Sequence, residues 1–166
     1  MKRFGLGQDT GVGFPAESSG ILSNYKNWDN QTYYNVMFGQ GFAATAIQMT
    51  GAYQTLGNKG VKLAPRLVES CTSPEGKVTT PELAAPVQVL SEKTAQTTVN
   101  MMENFVTQGW ITKEVTVPGY RVAMKTGTAQ QPNGEGGYKA EYVVSNMGMI
   151  PADDPQYIIS VIIAEP

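Results

Sequence analysis

No histidine occurs anywhere in the chain, and there is one cysteine, Cys71. The first absence removes Ser-His-Asp and Cys-His nucleophilic chemistry and nearly every catalytic zinc site. The second removes an intrachain disulfide, so Cys71 reads as a small packed or partly exposed side chain. A serine nucleophile would need another base, and lysine is the realistic candidate. No ligand cluster or cofactor fingerprint takes their place, and neither a metal nor a cofactor is expected. Charge is also scarce. Charged residues make up 16% of the chain and the net charge is −2. Nucleic acid, which favours a basic face, is therefore not an expected partner. No run approaches the ~18 apolar residues of a membrane span. Met1-Lys2-Arg3 resembles the start of a signal peptide, but Gly5, Gly7, Gln8 and Asp9 interrupt any apolar region after it. The chain reads as soluble, without an address, and its 166 residues fit one domain.

Glycine and proline are not scarce, at 18 and 10 residues, so turns are frequent. Gly5, Gly7, Gly11 and Gly13 have no strand before them and no Gly-Lys-Ser/Thr after them, which makes them turns rather than a phosphate loop. Ser23-Asn24-Tyr25-Lys26 spells Ser-x-x-Lys. A serine activated by that lysine requires both on one helix face and a lysine desolvated enough to be neutral. Asn27, Trp28, Asp29, Asn30 and Gln31 follow instead, a wet, turn-forming stretch that predicts loop. Asn30-Gln31-Thr32 is a formal glycosylation sequon with no sign of eukaryotic secretion around it. Residues 35–41 form a short apolar piece ending in glycines.

Two amphipathic helices are predicted. The first covers about 45–56, with Thr45 as N-cap, Ile47, Met49, Ala52, Tyr53 and Leu56 at helical spacing, and Gly57 as the stop. The second covers about 91–107, capped by Ser91, with Ala95, Val99, Met102 and Val106 as the buried stripe and Gly109 closing it. Between them, 61–63 and 67–71 read as short strands around Pro65, and 72–86 as an exposed loop. Residues 110–119 are a connection. Strands are expected at about 120–130, 141–150 and 157–164, joined by a polar turn at 130–137 and a tight turn at 151–155. The last strand is near-continuously apolar, as when both faces are covered. The fold class is α+β: an antiparallel three-stranded meander with the two helices packed on it.

Val122 to Gln131 organises this pattern. Val122 and Met124 fall on one face of the strand, and Ala123 and Lys125 on the other. Lys125-Thr126-Gly127-Thr128 carries the chemistry, although a tripeptide of this kind also suits a strand end with a surface lysine.

The surrounding residues resemble the C-terminal part of a class B penicillin-binding protein transpeptidase domain, of the kind that builds septal peptidoglycan. The likeness runs from Arg3-Phe4-Gly5-Leu6-Gly7 through the 11–20 stretch with Phe14-Pro15-Ala16-Glu17, then Asn27-Trp28. It continues through Phe38-Gly39-Gln40-Gly41, Thr45 to Met49, Pro65-Arg66 and Pro118 to Ala123. Lys125 to Gln130 and Pro151 to Pro155 complete it. Lys-Thr-Gly is the third motif of that class of serine enzymes. The resemblance implies a fragment, residues 1–166, of the β-lactamase/transpeptidase-like fold. In the family Ser-x-x-Lys and Ser-x-Asn precede the matched segments. No Ser-x-Asn occurs here, and Ser23–Lys26 lies too late in the order to be the nucleophile motif. The part bearing the nucleophile and a final helix are thus expected to lie outside this chain.

For the intact enzyme the resemblance implies a serine that attacks the penultimate D-alanine carbonyl of a stem peptide, then acyl transfer to a second stem peptide, with β-lactams trapping the acyl-enzyme. Lys125 would face the terminal carboxylate of the donor. Thr126 and Thr128 would add hydrogen bonds, and the backbone N–H of Thr128 would supply one oxyanion-hole donor. Gly127 would let substrate lie along the strand. The expected partners are stem peptides, β-lactams and membrane proteins of the divisome. The expected location of the parent is the extracytoplasmic face of the bacterial cytoplasmic membrane. The piece alone is expected to be inactive and to self-associate through the 157–164 strand. A class D-like β-lactamase, a β-lactam sensor domain and a non-catalytic fragment are the alternatives.

Overall fold

The computed structural model describes residues 1–134 and 137–166. The N-terminal third is mostly turns around two helices. Asp29 caps the first, α1 (Asn30–Met37), by accepting a 2.7 Å hydrogen bond from Thr32 N–H. The Thr32 hydroxyl and, after it, that N–H hold its carboxyl below the usual range. The loop expected over this stretch is thus corrected to a capped helix, into which the sequon residues fall. The cap outweighed a polar composition that otherwise suggested only turns.

Helix α2 (Ala46–Gly57) starts where predicted, on Thr45, and adds a capping box that the sequence reading did not include. Gln48 N–H donates to Thr45 Oγ1, and Thr45 N–H donates to Gln48 Oε1. Gln48 is 2% exposed, and its amide nitrogen also donates to the carbonyls of Gln8 and Ser19. One buried side chain therefore ties the N-terminal turns to a helix end, with its polar atoms satisfied. Gly57 is the last helical residue rather than the stop, and Asn58 is the cap.

Two small hairpins follow. β1 (Val61–Lys62) pairs with β4 (Val87–Gln88), and β2 (Cys71–Thr72) pairs with β3 (Val78–Thr79), each antiparallel. The expected strand at 67–71 is corrected to Cys71–Thr72. The 72–86 loop carries β3 within it and is exposed as expected. Residues 67–72 face solvent throughout, so no buried face selects an extended strand there. Cys71 is an exposed free thiol.

Helix α3 (Glu92–Gln108) is capped by Ser91, which accepts from Thr94 N–H, and its buried residues are the four predicted: Ala95, Val99, Met102 and Val106. A single helical turn, α4 (Thr112–Val115), interrupts the connection that follows. The meander is β5 (Ala123–Pro132), β6 (Tyr138–Ile150) and β7 (Tyr157–Ala164), antiparallel in the order β5-β6-β7. The register shifts between Gln130 and Pro132, so β5 runs into the segment read as a turn. The middle of that turn, residues 135 and 136, lies outside the described residues.

Helices α2 and α3 pack on one face of the sheet. Val99, Met102, Ala123, Met149 and Ala152 form the core there, with Tyr53, Leu56 and Ile158 against them. Ala123 pairs with Met149, and Met149 with Ile158, which puts all three side chains on that face. The other face is open around β7, where Tyr157, Ile159, Val161 and Ile163 are about half exposed or more. The expectation that β7 is covered on both faces is therefore corrected.

Candidate functional site

β5 is an edge strand, and the Lys-Thr-Gly residues lie in its middle, each paired to β6: Lys125 with Met147, Thr126 with Asn146, Gly127 with Ser145, Thr128 with Val144. The alternation of a strand divides the predicted site residues between two faces. Thr126, Gly127 and Thr128 line a groove of about 250 Å³ together with Trp110, Asn146 and Val161. Lys125 belongs to the helix-bearing face. Its ammonium donates a 2.7 Å hydrogen bond to the carbonyl of Thr126 and sits 5.2 Å from the centre of the Phe105 ring. That is cation–π range. The lysine is exposed, and among the described residues no carboxylate forms an ion pair with it.

Gly127 has a reason to be glycine that the sequence alone did not supply. A Cβ at this position would come within 2.7 Å of Ser145 Oγ on the neighbouring strand. The cross-strand partner, and not only an approaching ligand, sets the size limit.

The strand is held in place at its start. Arg121 donates to the two carboxylate oxygens of Glu103 on α3, and a third contact of 3.3 Å reaches Asp153 in the β6–β7 turn. These hydrogen bonds hold the Glu103 carboxyl below its usual range against an opposing effect of burial, and raise the Arg121 guanidinium. The Arg121 carbonyl accepts from Ala152 N–H at 2.9 Å. The helix, the residues leading into β5 and the turn are thus one clamped unit.

The other serine–lysine candidate does not form a site. Ser23 Oγ accepts a 2.7 Å hydrogen bond from the Trp28 indole. Lys26 lies in a short 3-10 turn, Tyr25–Asn27, and faces solvent. Two residues that sequence reasoning did not include do belong to the candidate site: Phe105 beneath the lysine and Trp110 in the groove. Only Trp110 had a visible signal, as a large aromatic in a polar connection directly after the glycine that ends α3.

A sheet and helices in this order, with Lys-Thr-Gly on an edge strand, define a transpeptidase-like fold, and comparison with known proteins gives the family. Residues 1–166 match the penicillin binding protein transpeptidase domain. Penicillin-binding protein PbpB of Mycolicibacterium smegmatis is 39% identical over 100% of this chain and 27% of that protein. Peptidoglycan D,D-transpeptidase FtsI of Escherichia coli K12 is 29% identical over 99% of this chain and 26% of that one. A crystal structure of penicillin binding protein 3 from Mycobacterium tuberculosis superposes with a TM-score of 0.91 at 38% identity, covering 99% of this chain and 39% of that chain. The same protein has been solved in complex with ampicillin and with aztreonam. The chain belongs to the penicillin-binding protein transpeptidase family. It spans about a quarter of the length of the curated relatives it matches.

Proposed function

We propose that the chain is the substrate-binding portion of a peptidoglycan cross-linking D,D-transpeptidase, a penicillin target of cell-wall and septum synthesis. The observation that carries this reading is the edge position of Lys125–Thr128, with an ammonium that forms no ion pair among the described residues. An edge strand presents backbone donors and acceptors to an extended ligand, and a cation attracts its carboxylate. Lys125 takes the role of carboxylate partner for a stem peptide or a β-lactam. Thr126 and Thr128 supply hydroxyls to the same group, and Thr128 N–H supplies one half of an oxyanion hole. Lys125 rests on its own strand, and a ligand carboxylate would replace the Thr126 carbonyl as its partner. Neither metal nor cofactor takes part. The serine, the second lysine and the Ser-x-Asn motif belong to the remainder of a longer parent, acting at the extracytoplasmic face of the bacterial cytoplasmic membrane with divisome membrane proteins as partners. Without them this chain binds but does not turn over.

Amide chemical-shift mapping with a simple penicillin tests the binding role. Saturable shifts at residues 125–129, abolished by Lys125→Ala, support it. Shifts that are absent, or scattered away from this strand, reject it.

A further inference from the structure

Among the described residues the Lys125 ammonium has two partners, and neither carries charge. It donates a 2.7 Å hydrogen bond to the Thr126 carbonyl and lies 5.2 Å from the centre of the Phe105 ring. A carboxylate in the place of the ring would neutralise the lysine. An aliphatic side chain there would strip water from the ammonium and return nothing. An aromatic face attracts a cation through its quadrupole and leaves the charge to act on a further anion.

The carboxylate two residues earlier on the same helix is already committed. Glu103 accepts both hydrogen bonds from Arg121. Arg121 precedes Lys125 by four residues, and α3 answers the first cation with a carboxylate and the second with a ring. The ring is itself held. Phe105 is half-buried near the end of α3, between the buried Met102 and Val106. A Cβ at Gly109 would collide with the Phe105 carbonyl oxygen, so the chain folds back closely against this residue as it leaves the helix. A lysine side chain is among the most flexible, and it gives up part of that freedom when it engages a ligand. A ring that already fixes the ammonium removes part of that cost in advance.

We propose that Phe105 is a positioning residue for Lys125: its ring holds the ammonium on the helix-bearing side of β5, without a counter-charge, for an anion that arrives from solvent. Lys125 is exposed, so that approach is open. The proposal rests on the carboxylate-binding reading above and adds to it the residue that prepares the cation. When a carboxylate takes the place of the Thr126 carbonyl, the ring stays beneath the ammonium.

Two measurements on the full chain test it. Without ligand, NMR of the lysine side chains should place the Lys125 ε-methylene protons upfield of those of the other lysines, with a nuclear Overhauser contact to the Phe105 ring. Phe105→Leu, which keeps an apolar side chain there, should move them back, and Phe105→Tyr should not. The second measurement is a chemical-shift titration with N-acetyl-D-alanyl-D-alanine and with its C-terminal amide, the same peptide without the charge. The acid should bind more tightly than the amide. Phe105→Leu should weaken the acid about three- to tenfold and leave the amide unchanged. Phe105→Tyr should restore the acid, and Lys125→Ala should abolish the preference for it. Lys125 ε-methylene signals no different from those of the other lysines overturn the positioning role, and this reading needs no variant to fold. Equal affinity of the native chain and Phe105→Leu for the acid also overturns it, while a preference for the acid that still depends on Lys125 leaves the carboxylate site standing. Acid and amide bound alike by the native chain, or a preference indifferent to Lys125, overturns the carboxylate site and the positioning role with it.

Discussion

Arg121 grips Glu103 with two parallel hydrogen bonds of 2.7 Å each, Nε to Oε1 and Nη2 to Oε2. Bidentate pairs fix orientation as well as distance. This one joins the fourth turn of α3 to the residue two positions before β5, so the helix bearing Phe105 and the strand bearing Lys125 share one anchor. The Glu103 side chain is 16% exposed and Arg121 53%, which shields the carboxylate more than the guanidinium.

The pair makes stability depend on acid in a definite direction. Arg121 lowers the folded-state pKa of Glu103. Its contribution is therefore complete above the unfolded value, about 4.3, and is lost as pH falls through the lowered folded value. Glu103→Gln should lower the urea midpoint at pH 7 and flatten the loss of stability below about pH 4.3. Parallel midpoint curves for the two proteins between neutral and acid pH would show that the pair does not contribute.

Gly127 gives a second prediction. Gly127→Ala forces a methyl group against Ser145 Oγ, which lies 2.7 Å from the ideal Cβ position. Overpacking of this kind costs about 1–3 kcal/mol. Ser145→Ala removes the colliding oxygen, so the double variant should regain most of the loss in a denaturant titration. A double variant no more stable than Gly127→Ala alone would place the strain elsewhere.

Much of this was readable before any coordinates. The α3 stripe, the three meander strands and the Lys-Thr-Gly location all followed from period and motif, because a buried face imposes a period on the sequence. What escaped were features set by single polar contacts or by tertiary neighbours. Helix α1 depends on Asp29 reaching Thr32 N–H, and its composition resembles loop. The size limit at Gly127 comes from a residue eighteen positions later, across a ladder that pattern reading cannot register. The separation of Lys125 from Thr126 and Thr128 was implied by strand alternation, but the Phe105 ring that receives the ammonium was not, since α3's period says only which residues face inward.

Thr45 tests the capping box at the start of α2. Thr45→Ala removes the acceptor for Gln48 N–H at the helix end whose Gln48 side chain also holds the carbonyls of Gln8 and Ser19. A lost cap costs about 1 kcal/mol. Hydrogen exchange should quicken in the first turn of α2 and at the N-terminal turns together. Faster exchange limited to α2 would mean that Gln48 keeps its outer bonds without the box.

Ser23 should remain unmodified by penicillins. Its hydroxyl accepts from the Trp28 indole, and Lys26 stands exposed in its own turn, so among the described residues no lysine is hydrogen-bonded to it. Incubation of the chain with a fluorescent penicillin should give no labelled band, and intact-mass analysis no penicilloyl adduct. An adduct mapped to Ser23 would reverse the assignment of this serine and revive Ser23–Lys26 as a nucleophile motif.

β7 carries the prediction of self-association. Tyr157 to Ala164 holds no charge and no proline, and β7 is an edge of its sheet. Edges of this composition pair readily with other strands. A second copy added antiparallel about a twofold axis at Val161 sets Ile159 opposite Ile163 twice, with all these side chains on one face. Tyr157, Ile159, Val161 and Ile163 are 69%, 54%, 50% and 49% exposed, so both copies would bury surface now open to water. Light scattering after size exclusion should show a mass that rises with concentration toward a dimer. Val161→Lys places two ammonium groups at the axis, and this variant should stay monomeric with its fold unchanged by circular dichroism. A native chain monomeric at every concentration rules out the association, and a Val161→Lys variant that still dimerises moves the interface off this edge.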